Sequence, residues 1–156
     1  MKNEKVEKVI ETLNKIMQRY HKFSRYLSYP GEWGERAFRG WLVFEVFYDH
    51  LGWPIGNIVF GERYDVLMVS DDVKPVIYLE TKKPGRGLAE IEDFNIRISD
   101  YPTLKYAILT DGYDWLRHDV TKNKELRVSC NDDVLKWKNF VSPLHASNYL
   151  LGVNYG

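Results

Sequence analysis

One cysteine, Cys130, stands in a chain of 156 residues, so no intrachain disulfide can form. A lone cysteine reads as a small strand-end hydrophobe, because a nucleophilic role needs a histidine partner that the sequence does not point to. Long apolar runs are also missing. The opening "MKNEKVEKVI" has no uninterrupted hydrophobic stretch, so neither a signal peptide nor a membrane span is expected, and a cytoplasmic location is the default. Net charge is absent too: 22 Lys and Arg balance 22 Asp and Glu, which excludes a global basic field that would recruit nucleic acid, though not a local basic patch. No repeat, low-complexity segment or long Pro/Gly linker interrupts the chain. No GxxxxGK[ST] loop or dinucleotide fingerprint occurs, and His21, His50, His118 and His145 lack metal-ligand spacing. What is present is 44% hydrophobic and 28% charged residues, a composition that folds. The length suits one domain, spanning 1–156.

Val6, Val9, Leu13, Ile16 and Tyr20 recur at helical spacing among lysines and glutamates, predicting an amphipathic helix over about 3–27. Pro30 and Gly31 break it. A second helix is expected over about 33–51, so rich in Phe38, Trp41, Leu42, Phe44 and Phe47 that it should be buried on more than one side, with Gly40 marking close packing. "GWPIGN" ends it.

The period then changes. "RYDVLMVS" and "KPVIYLETK" read as strands joined by the polar turn "DDVK". "LAEIEDFNIRISDY" returns to helical spacing. "LKYAILTDG", "YDWLRHD" and "KELRVSC" read as three more strands, and "DDVLKWKNF" as a short helix capped by Asn131 or Asp132. The tail, about 141–156, carries no clear pattern. The expected class is α/β of the mixed α+β kind, a central mixed sheet flanked by helices.

If Asp72 and Val73 are central in the first hairpin, Asp65 lies opposite Glu80, Leu67 opposite Tyr78 and Val69 opposite Val76. Glu80 and Lys82 share a strand face by the two-residue period. Two readings follow. The charges can be a solvated strand end, as many are. Alternatively, two carboxylates can share a hard divalent cation such as Mg2+, with the Thr81 carbonyl as a further oxygen and waters completing the shell. Lys82 would then orient a water or stabilise charge on a phosphate. Lys83 and Arg86, in "KKPGRG", stand where they can touch a phosphate backbone. Glu35, in the first turn of the second helix, either stabilises the helix N-terminus or reaches the metal or its water. Trp115, Arg117 and His118 are weaker nucleic-acid candidates, set against ordinary edge packing.

These residues resemble the PD-(D/E)XK nuclease superfamily and, more narrowly, the N-terminal nuclease domain of the motor subunit of type I restriction enzymes. The resemblance runs from about Gly31 to Leu116, through "RYDVLMVSDDVKPVIYLETKKPGRGLAEIEDF" and "KYAILTDGYDWL". It implies a restriction-endonuclease-like core and Mg2+-dependent cleavage of DNA, with Mn2+ as a substitute. Asp65 matches the metal-binding aspartate, Glu80 and Lys82 match the (D/E)XK pair, and Glu35 matches the helical glutamate. Tyr64 precedes Asp65 where the family name has proline. Asp93 and Arg97 stand where several relatives carry glutamine and tyrosine, making Arg97 a further candidate nucleic-acid contact. The resemblance supplies DNA; the residues alone do not separate DNA from RNA. No helicase motor accompanies the domain here, so a stand-alone enzyme, a homodimer and a subunit needing a partner are all open. The competing function is a non-catalytic nucleic-acid-binding or assembly domain with the same fold.

Overall fold

The computed structural model describes residues 1–27, 33–61, 65–88 and 91–154. The expected break at Pro30 and Gly31, and the Tyr64 that precedes Asp65, lie outside them. The architecture is a six-stranded mixed sheet flanked by helices, with strands in the order β1 to β6. The long first helix is α1 (Asn3–Lys22), followed by the single turn α2 (Ser24–Leu27) and by α3 (Trp33–Leu42). The strands are β1 (Ile58–Phe60), β2 (Asp65–Val69), β3 (Pro75–Thr81), β4 (Tyr106–Thr110), β5 (Asp114–Asp119) and β6 (Lys124–Ser129). Helix α4 (Ile91–Ile98) connects β3 to β4, and α5 (Val134–Val141) follows β6.

Several expectations need correction. The second helix does not run regularly to 51. At Val43–Tyr48 it widens into a π-helical turn, with Asp49 N donating to Phe44 O and Leu51 N to Val46 O. The widened turn keeps Val43, Val46 and Phe47 inside and leaves Phe44 and Tyr48 exposed. Gly40 marks no close packing, since a Cβ there would meet nothing within 4 Å. Strand β1 was not anticipated. It is three residues long and pairs antiparallel with β2 at the sheet edge. The cap of α5 is Asp133, which accepts from Lys136 N at 2.9 Å, while Asp132 accepts from Ser129 N. The patternless tail is part of the core. Leu144, Ala146 and Leu150 are buried, Trp53 Nε1 donates to Leu144 O at 2.8 Å, and Ala146 N donates to Leu51 O.

The first hairpin sets the geometry that matters most. Its loop closes between Ser70 N and Lys74 O, and Val69 faces Pro75. Val69 was expected opposite Val76, so the turn is one residue off that expectation. Continued unbroken, this register would set Asp65 opposite Leu79. A bulge between Met68 and Val69 intervenes, with Val76 as the extra residue on β3. Beyond it Leu67 faces Tyr78 and Asp65 faces Glu80.

β3 and β4 are parallel, joined through α4, whereas the other neighbouring strands are antiparallel. The sheet buries both faces of β3. On one side Ile77, Leu79, Val66 and Ile108 join α1, α3 and α5 in the larger core. On the other, Tyr78, Ala107, Leu109 and Leu116 pack under Phe94 and Ile98 of α4. Alternation along β3 therefore puts Tyr78, Glu80 and Lys82 on the α4 side. No described helix is long and apolar enough to cross a membrane.

Candidate active site

The site sits where β2 begins and β3 ends. Asp65 and Glu80 are directly opposed, so their Cβ atoms are about 4.5–5.5 Å apart on one face. Glu80 is 1% exposed, which is unusual for a carboxylate and requires partners. Its Oε1 accepts from the Tyr78 hydroxyl at 2.9 Å and from Arg97 Nη1. Its Oε2 is buried and accepts no hydrogen bond, and the Lys82 ammonium stands 3.5 Å away as an ion pair. Burial, and then the neighbouring Glu80 charge, hold the Tyr78 phenol well above the ordinary tyrosine range, so it remains a neutral donor.

Asp65 is half-buried and lies over the backbone of Gly61. A Cβ on Gly61 would fall 2.4–2.5 Å from the Asp65 carboxylate atoms, so glycine is what leaves that space open. Tyr101, just after α4, packs its ring at a tilt against Tyr78 with centroids 5.9 Å apart, and burial together with Asp65 and Asp100 raises its pKa. Asp65 thus lies near two neutral phenols, Tyr78 and Tyr101.

The lysine loop after β3 is held from behind. Lys82 N donates to Thr110 O at 2.8 Å, so the lysine backbone extends the β3–β4 pairing. Asp111 is 2% exposed and serves three backbone donors. Its Oδ1 accepts from Tyr113 N and Asp114 N, and its Oδ2 accepts from Gly87 N at 2.8 Å. One carboxylate therefore shapes the β4–β5 turn and fastens the loop that carries Lys83 and Arg86. Gly85 and Gly87 take φ of 80° and 83°, which the loop's tight return needs. Lys83 is half-buried and Arg86 exposed. The turn tip, Gly112, presses against Met17 and Phe38, tying this end of the sheet to α1 and α3.

The predicted residues are not all assembled. Asp65, Glu80 and Lys82 come together, with the Thr81 backbone between the last two. Glu35 is buried in the first turn of α3, close enough to Tyr20 that its charge, after burial, helps raise that phenol's pKa. Its helix packs on the sheet face opposite Asp65 and Glu80. Among the described residues no group of three or more His, Cys, Asp or Glu side chains stands where it could hold a metal. Arg97, expected at the nucleic acid, is bonded to Glu80. Lys82 is only 8% exposed, so its ammonium sits in the site with little access to solvent. Trp115 and Arg117 are buried rather than set out on an edge. Arg117 forks onto Asp119 and donates to the Asn139 and Phe140 carbonyls at the end of α5, a structural task.

Tyr78, Gly61 and Asp111 were missed as site residues. Tyr78 was within reach of strand periodicity, two residues before Glu80. Asp111 is the penultimate residue of the segment "LKYAILTDG", where nothing local signals its bond to Gly87. No family model, curated protein or solved structure matches this chain.

Proposed function

We propose that this chain is a metal-dependent endonuclease that hydrolyses phosphodiester bonds of DNA. The observation that supports the reading most is the Glu80 carboxylate. It is buried, opposite Asp65, with one oxygen lacking a hydrogen bond and a lysine ammonium 3.5 Å from that oxygen. An unsatisfied buried carboxylate oxygen and a second carboxylate in a glycine cradle suit a hard cation. Asp65, Glu80 and the Thr81 carbonyl would hold Mg2+, or Mn2+ in its place. Bound there, the cation would supply charge stabilisation at phosphorus and a more acidic water.

The chain's own groups do the rest. Lys82 orients the attacking water or stabilises the charge on the phosphate, and its burial strengthens that field. Tyr78 fixes the Glu80 carboxylate, and Asp111 holds the loop that presents Lys83 and Arg86 to the backbone of the nucleic acid. Glu35 would take the part that the resemblance implies for it, acting on the cation or its water from α3. Membership of the PD-(D/E)XK superfamily, and DNA rather than RNA, rest on the sequence resemblance. A cytoplasmic protein acting as a homodimer or beside a partner subunit accords with this reading.

One observation favours a second reading. Arg97, Lys82 and Tyr78 surround Glu80 as they would in a purely structural ion cluster, which fits a non-catalytic nucleic-acid-binding or assembly domain. Incubating the purified chain with duplex and single-stranded DNA, and with RNA, in Mg2+ or Mn2+ separates the two. Cleavage that disappears in Glu80→Gln supports the nuclease. Tight binding without cleavage in either metal supports the binding domain.

A further inference from the structure

The two donors on Glu80 Oε1 differ in kind. Tyr78 is immobilised on the same strand, fully buried, with its ring against Phe94 and Tyr101. Arg97 reaches in from the last turn of α4, and its side chain keeps 33% of its accessible surface. Its guanidinium is bonded to a buried carboxylate, yet the side chain as a whole stays partly open to solvent.

Asp65, Glu80, Lys82 and Arg97 sum to zero formal charge. A divalent cation placed among them would raise the sum to two positive charges where water screens poorly. Arg97 cannot yield by losing a proton, because a guanidinium stays charged at any working pH. It can yield only by moving to another anion. A phosphodiester accepts the same forked pair of N–H bonds as a carboxylate and brings one negative charge with it. Phe94 and Ile98 anchor α4 in the core, so a side-chain rotation suffices and the helix need not move.

We propose that Arg97 is an exchangeable plug. It holds Glu80 in the free protein and transfers to a substrate phosphodiester, so that nucleic-acid binding opens Glu80 to the divalent cation. This rests on the metal-nuclease reading of the same site. By linkage, the duplex must tighten metal binding and the metal must tighten duplex binding by one common factor.

The test is a Mn2+ titration followed by electron paramagnetic resonance of the free ion, with and without a short phosphorothioate DNA duplex. The wild type, Arg97→Gln, Arg97→Lys and Glu80→Gln are compared, each checked for folding by circular dichroism. The duplex should raise wild-type Mn2+ affinity by about tenfold, within the usual range for coupled sites. Without duplex, Arg97→Gln should bind Mn2+ about fivefold or more tighter than wild type, and its response to duplex should shrink accordingly. Arg97→Lys keeps the plugging charge and should bind as weakly as wild type. If Arg97→Gln alone fails to fold, the wild-type pair of titrations still decides, since a duplex that leaves wild-type Mn2+ affinity unchanged overturns the exchange. Mn2+ binding that Glu80→Gln abolishes, but that neither duplex nor Arg97→Gln alters, would overturn the plug and leave the metal site standing. No Mn2+ binding in any variant, even with duplex, would overturn both.

Discussion

Replacing Gly61 with alanine should displace the Asp65 carboxylate without deleting it. The added Cβ would start 2.4 Å from Asp65 Oδ1, and real Cβ contacts essentially never fall below 3.0 Å, so the carboxylate must retreat by at least about 0.6 Å. The backbone has no reason to object, because Gly61 is not among the residues with positive φ. What must give is the end of a short side chain, and alanine also removes some unfolded-state entropy, worth about 0.4–1 kcal/mol in favour of the fold. Stability should therefore change by less than about 1 kcal/mol. The site is less tolerant. Reacting groups need placement to within about 0.5 Å, and a misplacement near 1 Å can cost about a hundredfold. We predict cleavage slowed by about ten- to a hundredfold, with an unfolding midpoint in urea near wild type. Gly61→Ala protein that cuts at the wild-type rate, while Asp65→Ala does not cut, would refute the argument that this cradle positions Asp65.

Three more outcomes follow from the packing. Lys82→Met should destabilise the fold by about 1–3 kcal/mol in urea denaturation, because it removes the charge facing buried Glu80 Oε2, and it should still abolish most cleavage in a folded sample. Asp111→Asn keeps an oxygen for Tyr113 N and Asp114 N but can lose the Gly87 bond, so trypsin should cut faster after Arg86; Asp111→Ala should lose all three bonds and about 2–4 kcal/mol. Burial, and then the charges of Lys5 and the N-terminal amine, push buried His145 down to about 4, so the fold favours its neutral form. That contribution is complete above pH of about 6.5 and drains as pH falls toward about 4, by about 3 kcal/mol in total; unfolding curves of wild type and His145→Gln should lose their difference in slope above that window.

The pairing of Asp65 with Glu80 was legible because turn residues and alternating apolar positions constrain a hairpin. It was legible partly by compensation: the turn itself is shifted by one, and the bulge at Val76 restores the pairing. Strand β1 has only three residues after a Pro/Gly stretch, too few to display a period. The π-helical turn leaves no mark, since its apolar residues suit an ordinary helix equally well. Period two placed Lys82 on the Glu80 face, but nothing local tells how deeply a connecting helix and loop will cover it. The contact of Arg97 with Glu80 joins a helix to a strand across 17 residues, and the Asp111 bond to Gly87 spans 24. Such meetings are products of tertiary packing, invisible to spacing within one element. The tail reads as patternless because short 3-10 turns bury Leu144, Ala146 and Leu150 without a sustained repeat.

The central claim is that Asp65, Glu80 and Lys82 form a metal-dependent phosphodiesterase centre. The most direct measurement follows the purified chain acting on supercoiled and linear duplex DNA in Mg2+, in Mn2+ and in excess chelator, beside a folded Glu80→Gln variant. The account predicts nicked or cut DNA for wild type in either metal, none in chelator, and a loss of at least about a hundredfold in Glu80→Gln. Glu80→Gln cutting as fast as wild type, or wild type leaving DNA intact in both metals while binding it tightly, would contradict it.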